Sequence, residues 1–248
     1  LEKSGLLRNG ATMQAGAGGT SLAIAVYVHQ LLKKKGWKLS FGFGGSTKYM
    51  VDMLEEGQMG YILDAQAFDL DSVKSIEKNL NHIPYPVFNA YNYHSKGNLT
   101  TMMDIMILGA TEIDTGFNGN VVTHSDGLLL HGIGGWQNCL HARNVIIPVP
   151  LFRDRIPVIV DRVTTLCGPG ELIDVIITER GIAINPRRQD LIDSVRGKGL
   201  PLVTIEELKD IAEKMCGKPE KAAFDDRVVA AIKWVDGTVI DAVRKVKR

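Results

Sequence analysis

Three glycine-rich loops constrain the possible folds of this chain more than any other feature. They lie in "MQAGAGGTSLAIAV" (13–26), "FGFGGSTKYMVDML" (41–54) and "HGIGGWQNCL" (131–140). The first two stand between a strand-like and a helix-like segment, an arrangement typical of α/β sheets. In such sheets the strand ends converge on one crevice, where ligands bind. We therefore expect the three loops to lie at one edge of a sheet.

The local patterns predict several elements with defined ends. A helix should run from Gly19 to Lys35, begin under a Thr20 or Ser21 cap and end at Gly36. The segment "MDIMILGATEID" (103–114) is typical of one buried strand, and "PYPVFNAYNYH" (84–94) is typical of irregular structure. "TIEELKDIAEKMCG" (204–217) predicts a helix that opens on a capping box.

Later segments are rich in strands, and the chain closes on a predicted hairpin. "NVIIPVPL", "IPVIVDRVTTL" and "DVIITERGIAI" are β-rich, and Asp236-Gly237 is a typical tight turn between two final strands. The sequence therefore predicts one α/β domain over residues 1–248. Its sheet should be mostly parallel with some mixed strands, and a C-terminal β-hairpin should follow.

Composition excludes several classes of function. The formal net charge of the 248 residues is +1, which gives no support for nucleic-acid binding. No apolar run approaches the roughly 20 residues that span a membrane, and the sequence predicts no signal peptide. Cys139, Cys167 and Cys216 show no CxxC spacing, which favours a reduced, cytoplasmic setting. The six histidines form no metal-binding pattern, and the absent initial methionine suggests part of a longer polypeptide.

The glycine loops match no phosphate-binding motif, since both the G-x-G-x-x-G and the Walker A spacings fail. One such loop alone would be explained by tight packing between a strand and a helix. Three loops instead predict a cradle of backbone N–H groups for a carboxylate, a thioester carbonyl or its oxyanion. The cradle residues are Gly16, Gly18, Gly19, Gly44, Gly45, Gly134 and Gly135.

Polar residues in "ATEIDTGFNGNVVTHSDG" (110–127) complete the candidate site. Glu112 and Asp114 stand at the end of an apolar strand, where a carboxylate needs a partner. The segment that follows also carries Asn118, Asn120, Ser125 and Asp126. Asn, Asp and Ser favour turns in any case, so a turn role and a site role both stay open for these residues.

Four segments together resemble a known family. "EKSGLLRNGATMQAGAGG", "GFGGSTKYMVDMLEEG", "ATEIDTGFNGNVVTHSDG" and "GIAINPRRQDL" are similar to the C-terminal half of citrate lyase alpha subunits, the citrate CoA-transferase component. The resemblance covers the chain from Leu1 to Arg248. It implies the CoA-transferase fold, an open sheet with helices on both faces, and a chain that is one half of a two-domain subunit.

The resemblance also implies an activity and partners. Such subunits exchange acetate for citrate on an acyl thioester, which is carried by a dephospho-CoA-derived group on a small gamma subunit. A beta subunit then cleaves the citryl thioester, so a cytoplasmic, oligomeric, multi-subunit complex is expected. No cofactor is expected to bind this chain tightly, and no metal ligand is assigned. A transferase or acyl-CoA hydrolase for another acid, and a non-catalytic assembly domain, are the alternatives.

One departure from related transferases bears on the mechanism. Where covalent glutamyl-CoA enzymes carry a glutamate, alignment by resemblance places Gly44, which cannot be a nucleophile. The expected catalytic residues are Gly44, Gly45, Glu112 and Asp126. Backbone N–H groups near Gly45 would then stabilise an oxyanion during direct transfer between acids.

Overall fold

The computed structural model describes residues 1–16, 18–94 and 98–247, and the chain divides into two compact units. Unit 1 comprises Leu1–Leu108 and His141–Val145, and unit 2 comprises Gly109–Leu140 and Ile146–Arg248. The prediction of one domain over residues 1–248 stays a prediction. Ala17, in the first glycine loop, lies outside the described residues.

Unit 1 alternates strands and helices. Its elements are β1 (Met13–Ala15), α1 (Gly19–Lys35), β2 (Leu39–Ser46), α2 (Lys48–Glu55), β3 (Met59–Ala67), α3 (Leu70–Lys78), β4 (His82–Pro84), α4 (Val87–Tyr91) and β5 (Ile105–Ile107). The five strands stand in the order β5-β1-β2-β3-β4, and every neighbouring pair is parallel. Fully buried Leu39, Phe43 and Ile62 contribute to the core of this unit. The βα alternation thus builds the parallel sheet that the sequence predicts.

Helix α1 has the predicted bounds but not the predicted cap. It runs from Gly19 to Lys35, and Gly36 ends it in the left-handed conformation, with φ of 63°. The residue at its N-cap is Gly18, and no side chain caps the helix. The prediction that Thr20 or Ser21 caps this helix is therefore wrong.

Unit 2 is richer in short strands. Its elements are β6 (Glu112–Asp114), β7 (Gly119–Asn120), α5 (Trp136–Cys139), β8 (Val145–Pro148, which starts at the boundary), β9 (Phe152–Arg153), β10 (Ile156–Pro157), β11 (Ile159–Val160), β12 (Val175–Thr178), β13 (Gly181–Ile184), α6 (Gln189–Val195), α7 (Ile205–Cys216), β14 (Phe224–Lys233) and β15 (Val239–Val246). Strand β12 pairs parallel with β8 and antiparallel with β13, and β6 pairs parallel with β11 and antiparallel with β7. These mixed pairings agree with the predicted mixed strands.

Two local predictions for unit 2, the capping box at Thr204 and the C-terminal hairpin, are confirmed. Helix α7 opens on a reciprocal capping box between Thr204 and Glu207. Strands β14 and β15 form the predicted antiparallel hairpin. Its turn contains Gly237, whose positive φ of 92° is readily adopted by glycine.

Two predictions for the middle of the chain are wrong. The segment 103–114 does not form one strand, because β5 and β6 are separate and stand on either side of Gly109. Segment 84–94 is not wholly irregular, because Val87–Tyr91 forms the short helix α4. In the described part of the chain, every helix is too short or too polar to cross a lipid bilayer.

Candidate functional site

A buried carboxylate in unit 2 is the centre of the candidate site. Glu112 begins β6, and its side chain enters the interior, where the residue is 2% exposed. The antiparallel register places Asn120 of β7 directly opposite it. A carboxylate this deeply buried requires hydrogen-bond partners, because desolvating an isolated charge costs several kcal/mol.

Four donors satisfy the Glu112 carboxylate. Its Oε2 accepts from the Asn120 Nδ2 at 2.7 Å and from the Thr164 backbone N–H at 2.7 Å. Its Oε1 accepts from the Ser125 hydroxyl and, at 3.0 Å, from the Thr164 hydroxyl. A carboxylate offers about four lone-pair sites, so these donors engage its full accepting capacity. Such a carboxylate is held rigidly and is a weak candidate for a nucleophile.

Asn120 is itself fully engaged. Its Nδ2 also donates to the Thr123 carbonyl at 2.9 Å and to the Thr123 hydroxyl at 3.0 Å. Its Oδ1 accepts from the backbone N–H groups of Val122 and Thr123, at 3.0 and 3.1 Å. Asn120 is 0% exposed, so in this structure it orients Glu112 rather than presenting a free amide to a ligand.

Sequence reasoning missed Thr164, which donates twice to Glu112. The two residues are 52 positions apart, and Thr164 lies in a β-rich segment with no motif around it. No local signal could have found it, because the contact exists only once the chain has folded. Thr164, Glu112 and Ser125 line a cavity of about 260 Å³, which also has Arg162, Lys218 and Lys221 in its wall.

Asp114 and Asn118 form a turn rather than part of this cavity. Asp114 Oδ1 accepts from the backbone N–H groups of Gly116 and Asn118, at 2.9 and 3.0 Å. Asn118 Oδ1 in turn accepts from the Gly170 N–H at 2.9 Å. The structure displays turn chemistry at both positions, whereas the sequence analysis left a turn role open only for Asn118. The predicted substrate contact of Asp114 and Asn118 stays a prediction.

Ser125 and Asp126 separate although they are neighbours in sequence. Ser125 is 7% exposed and donates to Glu112, so it belongs to the carboxylate network. Asp126 is exposed, and its Oδ1 accepts from the Leu128 N–H at 2.9 Å, which is an Asx turn. The structure does not bring Asp126 into the Glu112 network, and its predicted catalytic role stays a prediction.

The third glycine loop introduces a packed tryptophan. Gly135 is the N-cap of α5, and Gly134 has a positive φ of 59°. Trp136 donates its indole N–H to the Gly109 carbonyl at 2.8 Å, and its ring packs where a Cβ on Gly119 would stand. Gly134 and Gly135 therefore position a structural aromatic residue, and their predicted N–H role stays a prediction.

The first two glycine loops lie at one edge of the unit 1 sheet, because β1 and β2 are parallel neighbours. Gly16 donates its N–H to the Ile107 carbonyl at 3.3 Å. Side chains added at Gly18 or Gly19 would meet nothing within 4 Å. The start of α1 is thus open and uncapped, a geometry that suits an anion.

In the second loop, contacts with neighbouring residues explain why glycine occupies positions 44 and 45. Gly44 adopts φ of 98° at a register shift between β2 and β3, and its Cβ would stand 3.1 Å from Gln14 Cγ. A Cβ on Gly45 would stand 1.7 Å from the Phe68 ring. Phe68 thus occupies the space that the missing side chain leaves, and the predicted approach of a ligand at Gly45 stays a prediction.

Comparison with known proteins identifies the family. The family model described as citrate lyase, alpha subunit (CitF) matches residues 1–246. The chain belongs to the citrate lyase alpha subunit family. Its citrate lyase alpha chain relatives include those of Klebsiella pneumoniae, at 43% identity over 248 residues, and Escherichia coli K12, at 40% identity over 248 residues. The whole chain aligns in both cases, and it spans about half the length of these relatives, 49% of each.

The prediction that this chain corresponds to the C-terminal half of the alpha subunit is wrong. The matched part of the curated relatives is their N-terminal half, not the C-terminal half. The motifs "SGLLRNG" and "GIAINP" place the chain in the family, but a motif carries no information about which half of a two-domain protein contains it.

Solved structures agree on family and fold. A Streptococcus mutans structure described as an alpha subunit of citrate lyase in complex with citrate superposes with a TM-score of 0.97 at 40% identity. That alignment covers 99% of this chain and 49% of the other. A Pseudomonas malonate decarboxylase hetero-tetramer, at 18% identity and a TM-score of 0.58, covers 83% of this chain and 46% of the other. This second likeness shows the fold alone, a mixed α/β architecture.

Proposed function

We propose that this chain acts in a citrate CoA-transferase, the alpha component of citrate lyase, which exchanges acetate for citrate on an acyl-carrier thioester. The observation that carries the proposal is the family match over residues 1–246, together with 40–43% identity to named citrate lyase alpha chains. The proposed partners are a gamma subunit that carries the thioester and a beta subunit that cleaves the citryl product. The thioester is a substrate, and the chain need hold no cofactor of its own.

The Glu112 network supports direct exchange between the two acids. A citrate carboxylate attacks the acetyl thioester carbonyl, a C–O bond forms, and the C–S bond breaks to release the thiolate. The thiolate then attacks the citryl carbonyl of the anhydride and releases acetate. Glu112 is not needed as a nucleophile, and its accepting capacity is already engaged by Asn120, Ser125 and Thr164.

Mass spectrometry of acyl exchange tests the activity. The native full-length protein is incubated with an acetyl thioester of a CoA-type carrier and isotopically labelled citrate. We expect a labelled citryl thioester and free acetate in equal amounts. Release of free thiol without a citryl product would instead identify a hydrolase and refute the proposal.

A matched pair of variants tests the network. Glu112→Gln replaces an accepting oxygen by a donor. It leaves either the hydroxyls of Ser125 and Thr164, or the Asn120 amide and the Thr164 N–H, without their acceptor, so we expect at least about a tenfold loss of exchange. Glu220→Gln changes an exposed carboxylate in the same unit and should leave the rate unchanged. Equal rates in the two variants would show that the Glu112 network is not required.

Borohydride distinguishes direct from covalent transfer. It reduces a glutamyl thioester and leaves a free carboxylate unmodified. After loading with acyl thioester, we expect borohydride to leave Glu112 unmodified. A reduced residue at Glu112, found by peptide mapping, would make it the nucleophile and overturn direct exchange.

A further inference from the structure

The residues that line the cavity beside Glu112 differ in solvent exposure: those at its base are buried and those at its rim are exposed. Glu112 and Ser125 at its base are 2% and 7% exposed, and Thr164 is half-buried. Arg162 and Lys221 in its wall are exposed. The burial therefore places hydroxyl and carboxylate oxygens inside and cationic groups at the opening.

Two cations at the rim are available to a ligand. The acidic wall residues Asp161 and Glu213 share the Lys209 ammonium, at 3.3 and 3.2 Å, and Glu213 also lies 3.9 Å from the Lys218 ammonium. Among the described residues, by contrast, Arg162 and Lys221 form no ion pair. Two separate cations at one opening favour a ligand with at least two anionic groups, and the Arg162 guanidinium can hold a carboxylate in bidentate fashion.

The base of the cavity favours a hydrogen-bond donor. The hydroxyls of Ser125 and Thr164 already donate their protons to Glu112, so the oxygens of both can only accept from a ligand. The negative charge of Glu112 repels an anionic group at this depth. A ligand that fits therefore directs a hydroxyl inward and its carboxylates outward.

The size of the cavity limits the ligand further. Its volume of about 260 Å³ is below the range of about 300–1,000 Å³ that is typical of sites for drug-sized molecules. A small acid fits this volume, whereas an intact CoA-type molecule does not. Val160, Val163 and Phe224 provide apolar walls for a short carbon skeleton.

We propose that this cavity is the subsite that selects a hydroxy-polycarboxylate. The ligand hydroxyl donates its single proton to the oxygen of Thr164 or of Ser125, and two of the ligand's carboxylates bind Arg162 and Lys221. The inference rests on the proposed function for the identity of the acid. The inference names the residues that distinguish such an acid from acetate, which has one carboxylate and no hydroxyl.

Titration calorimetry with the native full-length protein tests the subsite. The probes are citrate and tricarballylate, which has the same three carboxylates without the hydroxyl. Loss of one hydroxyl hydrogen bond should weaken binding of tricarballylate by about 2- to 10-fold relative to citrate. Arg162→Ala and Lys221→Ala should each weaken citrate binding by about 10-fold, the lower end of the range for hydrogen bonds to charged groups, because both side chains are exposed.

Matched controls are Arg180→Ala and Lys233→Ala, which remove exposed cations elsewhere in unit 2 and should leave citrate binding unchanged. Thermal unfolding of every variant verifies that the fold is retained. Unchanged citrate binding in both rim variants, or equal binding of citrate and tricarballylate, overturns the subsite.

The two proposals fail differently. If acyl exchange to citrate proceeds but the rim variants keep wild-type affinity, the proposed function stands and the subsite is wrong. If citrate binds and the rim variants weaken it, but no exchange occurs, the subsite stands and the transferase activity is wrong. If the wild-type protein binds neither acid, the subsite is refuted.

Discussion

Asn120→Asp is the sharpest perturbation of the Glu112 network, because it changes one nitrogen to oxygen without changing shape. The new carboxyl can still accept from the Val122 and Thr123 N–H groups, as the Asn120 Oδ1 does at 3.0 and 3.1 Å. It loses the Nδ2 donations to Glu112 Oε2 at 2.7 Å and to the Thr123 carbonyl and hydroxyl at 2.9 and 3.0 Å, and it brings a second carboxylate to Glu112. The lost donors lower stability at every pH, so the pH dependence of stability reports the contact between the two carboxylates.

The cost follows from proton binding. Two carboxylates in contact cannot both ionise, so one binds a proton in the folded state and its pKa is raised. At about pH 7.5, protonating a carboxyl with an ordinary pKa near 4 costs about 5 kcal/mol, and at about pH 5 it costs about 1.4 kcal/mol. The folded variant then binds more protons than the unfolded chain, so its stability falls as pH rises. We therefore expect the stability difference between wild type and variant to be about 3 kcal/mol smaller at about pH 5 than at about pH 7.5.

Urea denaturation of wild type and variant at the two pH values measures this difference. Asn81→Asp, an exposed position, is the control for a new charge and should show no such pH dependence. A destabilisation by Asn120→Asp of equal size at both pH values would refute the close contact between this residue and the Glu112 carboxylate.

Two further predictions concern backbone strain and thiol burial. Gly44→Ala should destabilise the protein by about 1–2 kcal/mol in urea denaturation, because the φ of 98° at Gly44 disfavours a residue with a Cβ. Gly132→Ala is the control, since open space surrounds Gly132, and it should leave stability unchanged. Equal denaturation midpoints for the two variants would contradict backbone strain at Gly44. Burial raises the pKa of the Cys139 thiol to about 12 and that of Cys167 to about 11, so both stay protonated at about pH 8 and native alkylation should modify Cys216 first. Equally fast modification of Cys139, seen by mass spectrometry, would contradict its burial.

Much of the secondary structure was predictable because its signals are local. The end of α1 at Gly36, the capping box at Thr204 and the final hairpin each depend on a few neighbouring residues whose backbone preferences act within one or two turns. The break at Gly109 was missed because residues 105–110 contain only apolar residues and one glycine. Periodicity cannot reveal that the two ends of such a run pair with different strands.

The sequence by itself determined the α/β class and the family. It also indicated that Glu112 needs hydrogen-bond partners, since an acidic residue at the end of an apolar strand requires them wherever the chain folds. Only the tertiary structure decided what those partners are. Thr164 reaches Glu112 across 52 positions, and Phe68 covers Gly45 across 23 residues of chain, which no local pattern encodes. Asn118 likewise acquires a distant partner, since its Oδ1 accepts from the Gly170 N–H, 52 positions away. Each of these distant donors and acceptors is satisfied only after the chain has folded, because its partner lies far away in sequence.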